Sequence, residues 1–201
     1  MDEEPGGTGT DSAPESRARV EVVEKVVTAA RRLFADRGPA AVPLREIARE
    51  AGVNYGLIYQ YIGTKDDLLR LVFQSASKDY AGEFGRATSA SEAIEFLMRS
   101  RRTEFVRMLA RSLLEDRDPA ALLERSPAMS ELSRRIGDEL PAGDELSSHD
   151  PRVVAAMLTT LCLGWGLFGG FVSTITGLSE IPDQEIKDMM YALALAGVDL
   201  E

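Results

Sequence analysis

Cysteine, histidine and tryptophan each occur once in this chain of 201 residues, as Cys162, His149 and Trp165. A single cysteine forms no internal disulfide, so no disulfide framework is expected. One cysteine and one histidine leave too few ligands for a structural zinc site, and neither metal nor other cofactor is expected. The first sixteen residues, MDEEPGGTGTDSAPES, hold five acids and no lysine or arginine. They lack the basic and apolar regions of a secretory signal, so a cytoplasmic location is expected. They also have too little apolar surface to offset ordering entropy, and residues 1–16 read as a disordered acidic tail. No window alternates apolar and polar residues with β-branched side chains, and there is no internal repeat. A P-loop, a G-x-G-x-x-G after a strand and any metal-ligand spacing are missing too. His149 and Asp150 are sequence neighbours and do not by themselves make a triad, so no enzyme is expected.

What is present is an ordinary soluble composition, 44% hydrophobic and 28% charged, long enough for one or two domains. The net charge of −10 is unevenly placed. Residues 17–73 carry ten Lys/Arg against seven Asp/Glu, whereas residues 74–201 carry thirteen against twenty-one. A basic segment on an acidic body fits a DNA-contacting module attached to a larger domain.

Helical periodicity starts at Arg17, where Val23, Val26, Val27, Ala30, Leu33 and Phe34 recur at three- and four-residue steps until Gly38-Pro39. A short helix is expected over 43–51, with Leu44, Ile47, Ala48 and Ala51 inward and Gly52 ending it. Asn54 caps a third over 55–62. Thr64-Lys65-Asp66-Asp67 is a capping box that opens a fourth helix, running to about Gly85. One long helix is expected over 91–115, one or two over 119–140 broken near Pro127, one from Asp150-Pro151 to about Thr176, and a last over 182–196. The chain reads as all-α, with about nine helices.

Two short helices joined by Gly52-Val53-Asn54 make either a plain helical hairpin or a helix-turn-helix. The residues around them narrow the choice. The stretch LREIAREAGVNYGLIYQYIGTKDDLL resembles the DNA-binding domain of the tetracycline-repressor (TetR) family of bacterial regulators. The resemblance rests on Phe34 to Gly38, Ile47-Ala48, Ala51-Gly52-Val53, Gly56, Tyr59, Tyr61 and Lys65, and it covers about residues 20–72. It implies a three-helix DNA-binding domain over 17–65 and a helical ligand-binding and dimerisation domain over 66–201.

The resemblance places Tyr55, Gly56 and Gln60 on the base-reading side of the third helix, which is capped by Asn54. Gln60 can make paired hydrogen bonds to adenine, and Gly56 lets the backbone come close. Arg45 on the second helix matches a position that can reach guanine; the alternative is a solvated surface charge. Tyr59, Tyr61 and Lys65 match phosphate-binding positions, which set register without reading sequence. Tyr59 packing on its own helix is the other reading. Leu57 stands where the family favours Thr or Ser, Pro43 also replaces a hydroxyl, and Ile62 replaces a Phe. Arg17 and Arg19 could reach phosphate or minor groove, or be merely solvated.

Residues 153–178 form an uncharged run of 26, VVAAMLTTLCLGWGLFGGFVSTITGL. By length this could span a membrane, and a membrane-anchored helical protein is the alternative reading. Five glycines, four threonines and a serine, with no flanking basic cluster, favour a core or dimer helix in a protein without a membrane partner. The resemblance implies that the last two helices pair with those of a second copy. Ala155, Gly164, Gly166, Gly169 and Gly170 are the small residues expected at that interface. It also implies a small-molecule pocket for an unidentified, at least partly apolar effector. Its expected lining is Phe96, Met98, Phe105, Met108, Leu109, Met129, Met157, Trp165 and Phe168, each of which could equally be plain core. Arg101 and Arg102 could face an anionic head or water. The expected whole is a cytoplasmic homodimeric repressor that binds a palindromic double-stranded operator and is released by its effector.

Overall fold

The structure, a computed structural model, describes residues 12–99, 103–123, 126–139 and 150–197. Every element among them is an α-helix or a connection, and these residues form ten helical segments. The first four are α1 (Ser12–Arg37), α2 (Leu44–Ala51), α3 (Tyr55–Tyr61) and α4 (Lys65–Arg86). The body adds α5 (Ala90–Arg99), α6 (Thr103–Leu114), α7 (Pro119–Leu123), α8 (Pro127–Glu139), α9 (Pro151–Ile175) and α10 (Asp183–Gly197).

One expectation is corrected. Helix α1 already includes Ser12, five residues before Arg17. The end of the supposed acidic tail is therefore helical, and its residues 1–11 lie outside the described ones. The stretch 91–115, expected as one helix, is described as α5 and α6, and 100–102 between them lie outside the described residues. Its two halves serve different cores. Ala93, Ile94, Leu97 and Met98 of α5 face the body, whereas Met108 of α6 is buried among residues of α1–α4.

The N-terminal core gathers Val26, Ala30, Phe34, Val42, Ile47, Ile58, Leu68, Leu69, Val72 and Phe73. The body core gathers Phe84, Ile94, Leu97, Leu132, Ile136, Val154 and Leu158. Helix α4 contributes to both, with Leu68 to Phe73 in one and Phe84 in the other. Helix α6 lies along α1, and α8 lies along α4 and α9. Local signals set the ends as read: the capping box joins Thr64 and Asp67, and Asp150 accepts from the Arg152 amide ahead of Pro151. Among the described residues, α9 is the one helix long and apolar enough to cross a membrane by length and composition. One of its faces, through Val154, Ala155, Leu158 and Gly169, is buried in the body.

Candidate nucleic-acid interface and body cavity

The turn between α2 and α3 is set locally. Gly52 holds φ 65°, the left-handed region that side chains resist, and a Cβ there would meet nothing within 4 Å. Glycine is needed for its torsion, not for space. Asn54 Oδ1 then accepts from the Gly56 amide at 2.8 Å, capping α3. A Cβ on Gly56 would lie 3.3 Å from that oxygen, so the glycine spares the cap and leaves the outer backbone bare.

Ile58, fully buried, anchors α3 from beneath, while Tyr55, Gly56, Tyr59 and Gln60 face solvent. Tyr59 is 68% exposed, so it does not pack into its own domain. Arg45 reaches across from α2 to lie over the Tyr55 ring, 5.5 Å from its centroid. Arg45, Tyr55, Gly56, Tyr59 and Gln60 thus form one outward face. Tyr61, half-buried, lies under Arg19 of α1 at 5.9 Å, which brings that arginine to the end of α3. Leu57 is half-buried and supplies no hydroxyl to this face.

Lys65 behaves differently from its neighbours. Its ammonium donates to the carbonyls of Pro39 at 2.9 Å and Ala40 at 3.4 Å, and burial lowers its pKa from the usual lysine value. It ties α4 to the α1–α2 loop. The same loop is held from the body, where Glu115 Oε2 accepts from the Ala40 amide at 2.8 Å and Arg117 pairs with Asp66. One residue escaped the sequence reading: Arg49, one turn beyond Arg45 on α2, is largely exposed and reaches Glu46 only at 3.8 Å. Its signal was the i, i+4 arginine pair on the polar side of α2.

The body encloses a cavity of about 690 Å³ among α4, α5, α6, α8, α9 and α10. Met98, Phe105, Leu109, Met129 and Trp165 line it, as expected from the sequence. Four other pocket candidates lie elsewhere. Phe96 packs edge-on against Phe84 with centroids 5.8 Å apart, and Met108 is buried in the N-terminal core. Met157 and Phe168 point outward from α9, because eleven residues are about three helical turns and keep both on the face opposite the cavity. Lining residues that the sequence did not single out are Tyr80, Thr103, Cys162, Asp183, Lys187 and Met190. Asp183 and Lys187 stand four residues apart on α10. Burial pushes the Cys162 thiol up to about 12, which leaves it unreactive as a nucleophile.

The small residues expected at a dimer interface divide in the same way. Ala155 is buried in the chain's own core, and Gly166, Gly169 and Gly170 line the cavity. Gly166 accommodates Val106, whose Cγ2 would be 3.2 Å from an added Cβ, and Gly169 accommodates the Trp165 ring. Only Gly164 lies on the outward side, where a Cβ would meet nothing within 4 Å. There it joins an exposed stripe of Val153, Met157, Leu161, Phe168, Phe171 and Ile175 at steps of three and four, and on α10 Met189 and Leu193 are exposed as well. Among the described residues no group of three or more His, Cys, Asp or Glu could hold a metal ion. His149, Arg101 and Arg102 lie outside the described residues.

A buried-core helix pair presenting a capped, solvent-facing α3 is a helix-turn-helix, and its attachment to a helical body with an internal cavity defines a DNA-binding transcriptional regulator. A sequence profile of the bacterial regulatory proteins of the tetR family matches residues 26–72. The chain is 33% identical over 178 residues to the HTH-type transcriptional repressor Rv3405c of Mycobacterium tuberculosis, covering 89% of each protein. Salmonella enterica GusR shares the fold at a TM-score of 0.64, with 14% identity over 89% of this chain and 95% of that one. So does the transcriptional regulator FadR from Bacillus subtilis, solved in complex with stearoyl-CoA, at 0.59 and 17% identity over 87% and 98%. The chain belongs to the tetR family of bacterial regulatory proteins.

Proposed function

We propose that this regulator is a cytoplasmic homodimeric repressor, released from a palindromic operator when a small, at least partly apolar molecule fills the cavity of the body. The observation that carries the reading is the double attachment of α6. Phe105, Val106 and Leu109 of that helix line the cavity, and beyond its C-terminal end Glu115 holds the Ala40 amide of the DNA-binding domain. A ligand that favours one seating of α6 biases the position of α2 and α3, and operator binding weakens by the difference in its affinity for the two states. The repressor named among the relatives supports the sign of the response, and the acyl-CoA complex of FadR supports an occupied body in this fold.

The outward stripe of α9 and α10 is the dimer face in this reading. Exposed side chains of this size bury about 1.5–3 kcal/mol each on full coverage, so the stripe supplies on the order of 10 kcal/mol toward association. The stripe runs along the length of α9, and α10 also exposes Met189 and Leu193, as two facing helix pairs would use. Such a dimer sets its two α3 helices about one DNA turn, or a multiple, apart. Base reading falls to Tyr55, Gly56, Gln60 and Arg45, and phosphate binding to Tyr59, Tyr61, Arg49 and Arg19. Lys65 and Asn54 hold the elements that present them, and Leu57 supports α3 from its inner side.

Fluorescence-anisotropy titration against DNA from upstream of the chain's own gene, with scrambled DNA beside it across a salt series, tests this. Selective binding by two subunits per site is expected. Equal, salt-labile binding to both DNAs would overturn the assignment of that operator.

A further inference from the structure

The polar groups of the cavity point to the chemistry of its occupant, and this step rests on the reading of the cavity as an effector site. Trp165 Nε1–H donates to Asp183 Oδ1 at 2.9 Å, and Lys187 Nζ lies 2.9 Å from Asp183 Oδ2. Two donors from two helices therefore converge on the two oxygens of one carboxylate. The members of this group differ in accessibility. The Lys187 side chain is only 13% exposed, whereas that of Asp183 is 53% exposed and begins α10. An Asp183 turned outward gives up these contacts but keeps water, whereas a sheltered ammonium left without a carboxylate is an uncompensated charge.

The rest of the described lining offers no second charge. Lys187 is its one cation and Asp183 its one anion. Ser77 and Ser126 satisfy each other across 3.0 Å, and Cys162 and Thr159 turn to the thioethers of Met98 and Met129. The geometry points to a monocarboxylate with an apolar body, whose head takes over the Trp165 and Lys187 donors while Asp183 moves out to solvent. The exchange replaces one carboxylate with another, so the head contributes selectivity and burial of the apolar body contributes affinity. A small acid without such a body lacks that driving force. A ligand bearing several phosphates finds no further cation among the described lining residues.

Trp165 is the only tryptophan in the chain, so its fluorescence reports on the site directly. The test titrates the intact protein with three ligands that share one tail: dodecanoate, 1-dodecanol and dodecylammonium. Dodecanoate is expected to bind roughly tenfold more tightly than dodecanol, with dodecylammonium weakest. Lys187→Met should erase the preference for dodecanoate while leaving the dodecanol Kd in place. Asp183→Asn removes the internal competitor and should tighten dodecanoate. Equal binding of dodecanoate and dodecanol, tightest binding of the cation, or weaker dodecanoate binding in Asp183→Asn would each overturn the carboxylate assignment while leaving the cavity a ligand site. If none of the three, nor the uncharged dye Nile red, bound at all, the effector-site reading itself would fall.

Discussion

The two ends of this molecule expose opposite chemistry. Around α2 and α3 the apolar side chains are inside, and the surface shows tyrosine hydroxyls, a glutamine amide and arginines. Along α9 and α10 the surface is itself apolar, with Phe171 65% and Leu193 74% exposed, while the opposite side of α9 borders a cavity. The first region is a finished domain whose outward groups suit a charged, hydrated partner. The second is unfinished on both sides of one helix, and each side calls for a different kind of apolar complement. A single α9 separates the two, which explains how a 25-residue helix with one charged residue, Arg152, can belong to a regulator of this family.

The comparison breaks most visibly if the apolar end is charged. Leu161→Glu sits in the middle of the outward stripe, where a dimer would bury an unpaired carboxylate at a loss of several kcal/mol. Sedimentation should show monomers, and operator affinity should fall about 100-fold or more. A variant that stayed dimeric would move the interface off this face. At the polar end, Gln60→Ala and Arg45→Ala should each lose about 1–3 kcal/mol on the operator and relax base preference, whereas Tyr59→Phe should weaken all DNA alike. Uniform loss across sequences for Arg45→Ala would remove it from the readers.

Smaller effects sharpen the claim that the DNA-binding end is complete in itself. Gly52→Ala should destabilise the fold by about 1–2 kcal/mol in thermal unfolding, since the added methyl meets nothing and the whole effect comes from the left-handed torsion. Asp67 makes the smallest contribution. The Thr64 hydroxyl, then the Thr64 amide and Arg70, hold its pKa at about 2, below the ordinary 3.8. A carboxylate lowered in the folded state stabilises fully above its unfolded pKa and loses that contribution as pH falls toward 2. Asp67→Asn should therefore flatten the decline in stability between about pH 4 and pH 2. Parallel curves for the two proteins would show that the capping box contributes nothing to acid sensitivity.

How much could be read beforehand follows the same division. The Asn54 cap, the Gly52 turn, the Thr64–Asp67 box and the Asp150-Pro151 start depend on neighbours within four residues, and each stands where the sequence places it. The face that each residue of α9 presents does not follow from such neighbours. From Val153 on, nearly every position of that helix is apolar or small, so periodicity carries little contrast, and Met157 stands on the outward side and Gly166 on the cavity side, the reverse of the expectation. That Met108 joins a core built by α1–α4 is a long-range fact, which the local pattern does not show. The Asp183–Lys187 pair was visible as spacing, but its meaning came from Trp165, eighteen residues upstream, donating to the same carboxylate.

The Arg45–Tyr55 stack carries a consequence for timing. An arginine side chain has about 2 kcal/mol of rotamer freedom to lose when it is fixed. Leaning on the Tyr55 ring, Arg45 gives up part of that freedom before any DNA arrives, and Arg19 does the same on Tyr61. The rings act as rests for two cations, so in the proposed interface each tyrosine would shape recognition through its neighbour as well as through its own contacts. Calorimetry of Tyr55→Ala should then show a more unfavourable binding entropy even on DNA sites where Tyr55 itself touches nothing.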